Sequence, residues 1–103
     1  MVKANLTEVK DLGMQVNRLN TNELVDHCIL KFTTESGESY NTYALTKTTH
    51  ASSRLGKIIR TLLGRNLTKN DYVNDMFDSD VLLGKSAYVL IENNSITGVS
   101  EAL

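Results

Sequence analysis

Hydrophobic and polar positions alternate along most of this chain, and the period changes once, near its middle. Leu55, Ile58, Ile59, Leu62 and Leu63 recur at helical spacing and form one apolar stripe. Ser52 or Ser53 stands ready as N-cap and Gly64 as a left-handed stop, so a helix is predicted from about Ser53 to Leu63. Arg54, Lys57, Arg60 and Thr61 then occupy its outer face.

On both sides the period is two. Leu12, Met14 and Val16 predict a strand from about Leu12 to Leu19. Leu6, Val9 and Gly13 also fit helical spacing behind an Asn5…Glu8 capping box, so a short helix over the first twelve residues competes with a strand there. Cys28, Leu30 and Phe32 share one face of a second strand. Glu35-Ser36-Gly37-Glu38 is a hairpin turn, and Ser39 to Lys47 a third strand, with Tyr43 and Leu45 on one face and Tyr40, Thr42 and Ala44 on the other. Beyond the helix, Thr68 opens a second short helical turn holding Tyr72, Val73, Met76 and Phe77. Ser86 to Glu92 is a strongly apolar strand, Asn93-Asn94-Ser95 a turn, and Ile96 to Glu101 the last strand.

The predicted fold class is mainly β with one or two short helices (α+β), in the order β-β-β-α-β-β. That is the order of an OB-fold-like five-stranded barrel. Another small barrel, or a meander packed on a helix, has the same order. At 103 residues, with no proline and no internal repeat, residues 1–103 read as a single domain. No apolar run approaches the ~20 residues that span a bilayer. Cys28 is alone, which removes an intramolecular disulfide, and the opening Met1-Val2-Lys3-Ala4-Asn5 leads into polar sequence. A cytoplasmic protein with no membrane association is expected.

Charge is distributed unevenly behind a net value of −1. Residues 47–69 carry six basic side chains (Lys47, Arg54, Lys57, Arg60, Arg65, Lys69) and no acid. Residues 70–103 carry six acids against Lys85 alone. A basic middle can present a positive face for an anionic partner, and the same charges would equally serve to solvate a helix.

Catalytic patterns are sparse. His27 and Cys28 are neighbours on a strand and point to opposite faces, which separates them as base and nucleophile. Two histidines and one cysteine match no zinc spacing. Asp71, Asp75, Asp78 and Asp80 lack the ligand order of a calcium loop. Gly56 and Gly64 lie within and after a helix, not in a phosphate loop. A non-enzymatic binding protein without metal or cofactor is expected.

Aromatic rings on strands beside basic side chains suit single-stranded nucleic acid, whose bases stack while cations follow the phosphates. The candidate contacts are Lys47, Arg54, Lys57 and Arg60 for phosphates, with Tyr40 first and Tyr88 second as the solvent-facing ring.

The run Thr46-Lys47…Ser52-Ser53-Arg54-Leu55-Gly56-Lys57-Ile58…Leu62-Leu63-Gly64-Arg65, followed by Val81-Leu82-Leu83-Gly84-Lys85-Ser86-Ala87-Tyr88-Val89, resembles a pattern in small phage and mobile-element proteins of Gram-positive bacteria. The resemblance spans roughly residues 40–92. It implies an OB-fold-like protein of phage or mobile-element DNA metabolism that binds single-stranded DNA. The alternative is a small phage- or plasmid-type protein that binds or inhibits a host or phage protein, an idea favoured by the near-neutral charge and the acidic 71–80 stretch. A homodimer is compatible with either.

Overall fold

Ala4 and Leu6 alternate inward from the start of the chain, and that alternation opens the longest strand of the protein, β1 (Val2–Val16). The computed structural model describes residues 1–16 and 23–101. Strand β1 runs antiparallel to β2 (Leu24–Thr34) along most of its length and to β7 (Ser86–Glu92) through Val2–Asn5. With both edges paired there, its backbone groups have no need of a helix.

The expected N-terminal helix is therefore replaced by strand, and the reason for the helical spacing is visible in the register. Leu6 faces Phe32 and Glu8 faces Lys31, so Thr7 is an extra residue. The bulge sets Leu6 and Val9 three apart on one inward face, imitating a helical stripe. A second shift makes Leu12 extra, next to Gly13 at φ +74°. The expected strand Leu12–Leu19 is the far end of this one strand, and its residues 17–19 lie outside the described residues.

Cys28, Leu30 and Phe32 all point inward from β2 and are fully buried. The hairpin turn at 35–38 closes as expected, with Gly37 left-handed and Thr34 Oγ1 accepting the Glu38 amide.

The third expected strand is broken in two, β3 (Ser39–Thr42) and β4 (Leu45–Thr46), both paired to the same edge of β2. The Leu30 amide donates to the Thr42 hydroxyl (3.1 Å), and such side-chain bonds compete with a ladder. Past that point the chain kinks at Tyr43-Ala44. Thr42 and Leu45 both end up buried, and Tyr43, expected beside Leu45, is exposed instead.

Helix α1 (Arg54–Leu63) forms as its stripe predicts, burying Leu55, Ile59 and Leu62. Ser53 Oγ accepts the Gly56 amide (2.9 Å), and Gly64 stops the helix at φ +70°. Thr68 does open a short 3₁₀ turn, Lys69–Asp71. The residues placed on it are not helical, however. Tyr72–Val73 (β5) and Met76–Phe77 (β6) form a two-stranded hairpin, because Asn74 and Asp75 adopt the left-handed conformation of a tight turn. A second 3₁₀ turn (Ser79–Leu82) leads to β7, which pairs through an Asn93-Asn94 turn with β8 (Ser95–Glu101).

Strand pairing runs β1-β7-β8-β3-β2 and returns from β2 to β1, so five strands form a ring, with β4 beside β2. The β3–β8 contact is the parallel one. The core fills the ring with Leu6, Leu30, Phe32, Val89 and Ile96, and Leu55, Ile59 and Leu62 of the helix join the same cluster. The protein is thus mainly β with one α-helix among the described residues. No described helix is long and apolar enough to cross a membrane.

Candidate nucleic-acid interface

The kink at Tyr43 has a direct effect on the surface. It turns the tyrosine ring outward, 47% exposed, where the N-terminal turn of α1 approaches β8. A groove of about 150 Å³ lies there between Tyr43, Arg54, Lys57, Ile58 and the Thr97–Val99 stretch. Among the described residues no carboxylate lines it. Arg54 and Lys57 are three apart on the helix and therefore neighbours on its surface, and both are exposed. Neither forms an ion pair among the described residues. Two unneutralised cations thus stand beside one exposed ring.

The other sequence candidates are placed differently. Arg60 is half-buried, and its Nη1 donates to the carbonyls of Thr49 (2.9 Å) and Gly56 (3.0 Å). The guanidinium ties the 48–53 turn to the helix rather than facing a ligand. Lys47 Nζ pairs with Asp11 at 2.8 Å, and that hydrogen bond holds its ammonium above the ordinary lysine range. Tyr40 lies directly opposite Phe32, so it shares the inward face. Its ring packs on the core and its hydroxyl donates to Glu38 (2.5 Å), a bond that raises the phenol's pKa. Tyr40 is therefore not the solvent-facing ring of its strand; Tyr43 is. Tyr88 does point outward from β7, between Lys3 and Ser100 of the adjacent strands, and does not line the groove. Of the six candidates, Arg54 and Lys57 are brought together, and Tyr43 joins them. The signal for Tyr43 was present but easily missed: Thr42 and Leu45 can both face inward only if the strand breaks between them.

The geometry offers little to covalent chemistry. Cys28 is enclosed, and burial, with Asp11 nearby, pushes its thiol up to about 11. Such a thiol stays protonated and inert near neutral pH. His50 Nδ1 accepts from the amide of Ser52 (3.3 Å) and meets its hydroxyl at 2.9 Å, a local bond that closes the turn before the helix. Among the described residues no three His, Cys, Asp or Glu side chains group as a metal would need.

Comparison with family models, with curated proteins and with solved structures finds no match to this chain.

Proposed function

We propose that this protein is an OB-fold-like binding module for single-stranded nucleic acid, and that the strand enters at the Tyr43–Arg54–Lys57 groove. The ring order, its parallel β3–β8 closure and a helix between the third and fourth ring strands all agree with such a barrel. The observation that carries the reading is the exposed Tyr43 ring beside two unpaired cations in a groove free of carboxylates. A base stacks on the ring while the two cations face consecutive phosphates, an arrangement that needs no base-edge contact and so no particular sequence. Arg60 contributes through the turn it holds in place, Lys47 through its ion pair with Asp11 of β1, Tyr40 through the core, and Tyr88 lies outside the contact.

Titration of a fluorescent oligo-dT tests this. Binding should weaken with salt at a slope of about −0.7 in log K per phosphate contacted. Reversing Arg54 and Lys57 to Glu should flatten that slope by about one unit or more. Tyr43→Ala should cost ~1–3 kcal/mol per stacked base, with Tyr40→Ala and Tyr88→Ala near wild type. A protein that binds no oligo-dT at low salt is not a single-strand binder.

A further inference from the structure

Across from the groove in composition, and sharing no lining residue with it, is a cavity of about 310 Å³ beneath the β5–β6 hairpin. Its floor is the core itself, with Cys28, Leu30, Ile59 and Leu82 at the bottom and Phe77 on the wall. Its rim holds Asp26 and Asp75, both exposed and neither engaged in an ion pair or side-chain hydrogen bond among the described residues. Among the described residues the one cation at the rim, Lys47, is already neutralised by Asp11. The opening is therefore apolar inside and anionic around the edge.

Apolar surface continues outward from it on both sides. Leu24, Asp26 and Cys28 alternate on β2 and so share a face. Met14 sits opposite Asp26 and Val16 opposite Leu24, which puts them on that face too. On the other side Val73 and Met76 project from the hairpin. All five apolar residues are more than half exposed, Met76 at 65%.

We propose that this cavity receives a large apolar side chain from a short segment of another protein, with Lys or Arg residues flanking that anchor and meeting Asp26 and Asp75. The volume is at the lower bound of small-molecule pockets, about 300 Å³, and suits a side chain better than a cofactor. A small molecule would leave Met14, Val16, Leu24 and Val73 uncovered; an extended or helical peptide covers them. The carboxylate rim repels nucleic acid and attracts a basic segment. Unbranched methionines at the edge adapt to more than one anchor shape. The site shares no lining residue with the groove and does not depend on the nucleic-acid reading.

The test is selection of a displayed random dodecapeptide library on the full chain, followed by anisotropy titration of the enriched peptides after synthesis. Enriched peptides should carry one or two Leu, Ile, Phe or Met residues flanked by Lys or Arg. Asp26→Asn with Asp75→Asn should weaken them about tenfold, as the loss of two exposed charge pairs would. Asn tolerates the left-handed conformation at position 75, so the hairpin turn survives. Met76→Glu should weaken them further while oligo-dT binding is unchanged. The proposal is overturned if no peptide is enriched, if the double variant binds the peptides as well as wild type, or if reversal of Arg54 and Lys57 is what abolishes peptide binding. Light scattering that shows a dimer dispersed by Met76→Glu also overturns it, because a second copy would then be the occupant.

Discussion

Arg65 grips Asp71 with both terminal nitrogens, Nη1 to Oδ2 and Nη2 to Oδ1, each at 2.8 Å. Asp71 also accepts the Thr68 amide at 2.7 Å and is almost completely buried. A basic residue just past the helix stop is thus committed to holding the loop that carries the β5–β6 hairpin. The Arg65 hydrogen bonds, joined by the Thr68 amide, hold the Asp71 carboxyl well below the usual carboxylate range.

The sign of the pH dependence follows. A carboxylate whose folded pKa is depressed stabilises the fold fully above its unfolded value near ~3.9, and that stabilisation is lost as pH falls below it. Stability measured by urea midpoint should therefore decline from about pH 5 downward. In Arg65→Met the decline should be shallower, since the largest cause of the depression is gone. Equal acid slopes in the two proteins would show that Asp71 is not the group responsible.

Gly56→Ala should destabilise the protein by ~1–3 kcal/mol, the usual cost of overpacking, although alanine is the better helix former. A Cβ at this position would stand 1.9 Å from the His50 carbonyl oxygen, which is backbone and has nowhere to go. The 48–53 turn would be pushed off the helix, taking the Arg60–Thr49 bond with it. Thermal denaturation followed by circular dichroism reads the outcome, and an unchanged or raised midpoint would refute the close approach.

Ile59 is 1% exposed where the helix meets the ring. Its truncation to Ala should cost ~2–5 kcal/mol, as loss of a buried aliphatic group does. The same variant should leave the slope of oligo-dT binding against salt unaltered, because the residue contributes packing and no charge. A wild-type denaturation midpoint would place the stripe at a surface rather than in the core.

Cys28 should resist a neutral aromatic disulfide reagent for as long as the protein stays folded, and react at once in denaturant. With its thiol pushed up to about 11, labelling at any pH up to 9 should stay far slower than that of a free cysteine, because only a small fraction is thiolate. Fast labelling at neutral pH would mean that the cavity above the thiol opens readily to solvent.

How far these features were legible in the sequence depends on what sets each one. Helix α1 was legible because its stripe, cap and stop all act within the twelve residues from Ser53 to Gly64. Strands β7 and β8 were legible for a similar reason: Asn93-Asn94 announces a tight turn between two apolar runs. Strand β1 was not, because its two bulges are imposed by a register with β2 that no local pattern records, and they disguise period two as period three. The Tyr43 kink was hidden in the same way, since a hydroxyl twelve residues from Leu30 decides it. Of the candidate site, the helix cations were foreseeable from position alone. Whether a cation is free or engaged was not: Arg60 and Lys47 find their partners through a turn and a neighbouring strand that assemble only in the finished fold.

Closure of the ring has a consequence for synthesis. Val2–Asn5 take their second edge from Ser86–Val89, and β8, the last strand, is the parallel partner of β3. A chain emerging from the ribosome holds the β1–β2 ribbon once Thr34 is made, yet waits for the strand that starts at Ser86 before one of its edges is covered. Pairings at such separation fold slowly, in roughly milliseconds to seconds. During that interval the uncovered edge of β1 is the segment most open to a neighbouring nascent chain, and the lysines at positions 3 and 10 along it are the charges best placed to keep such a neighbour away.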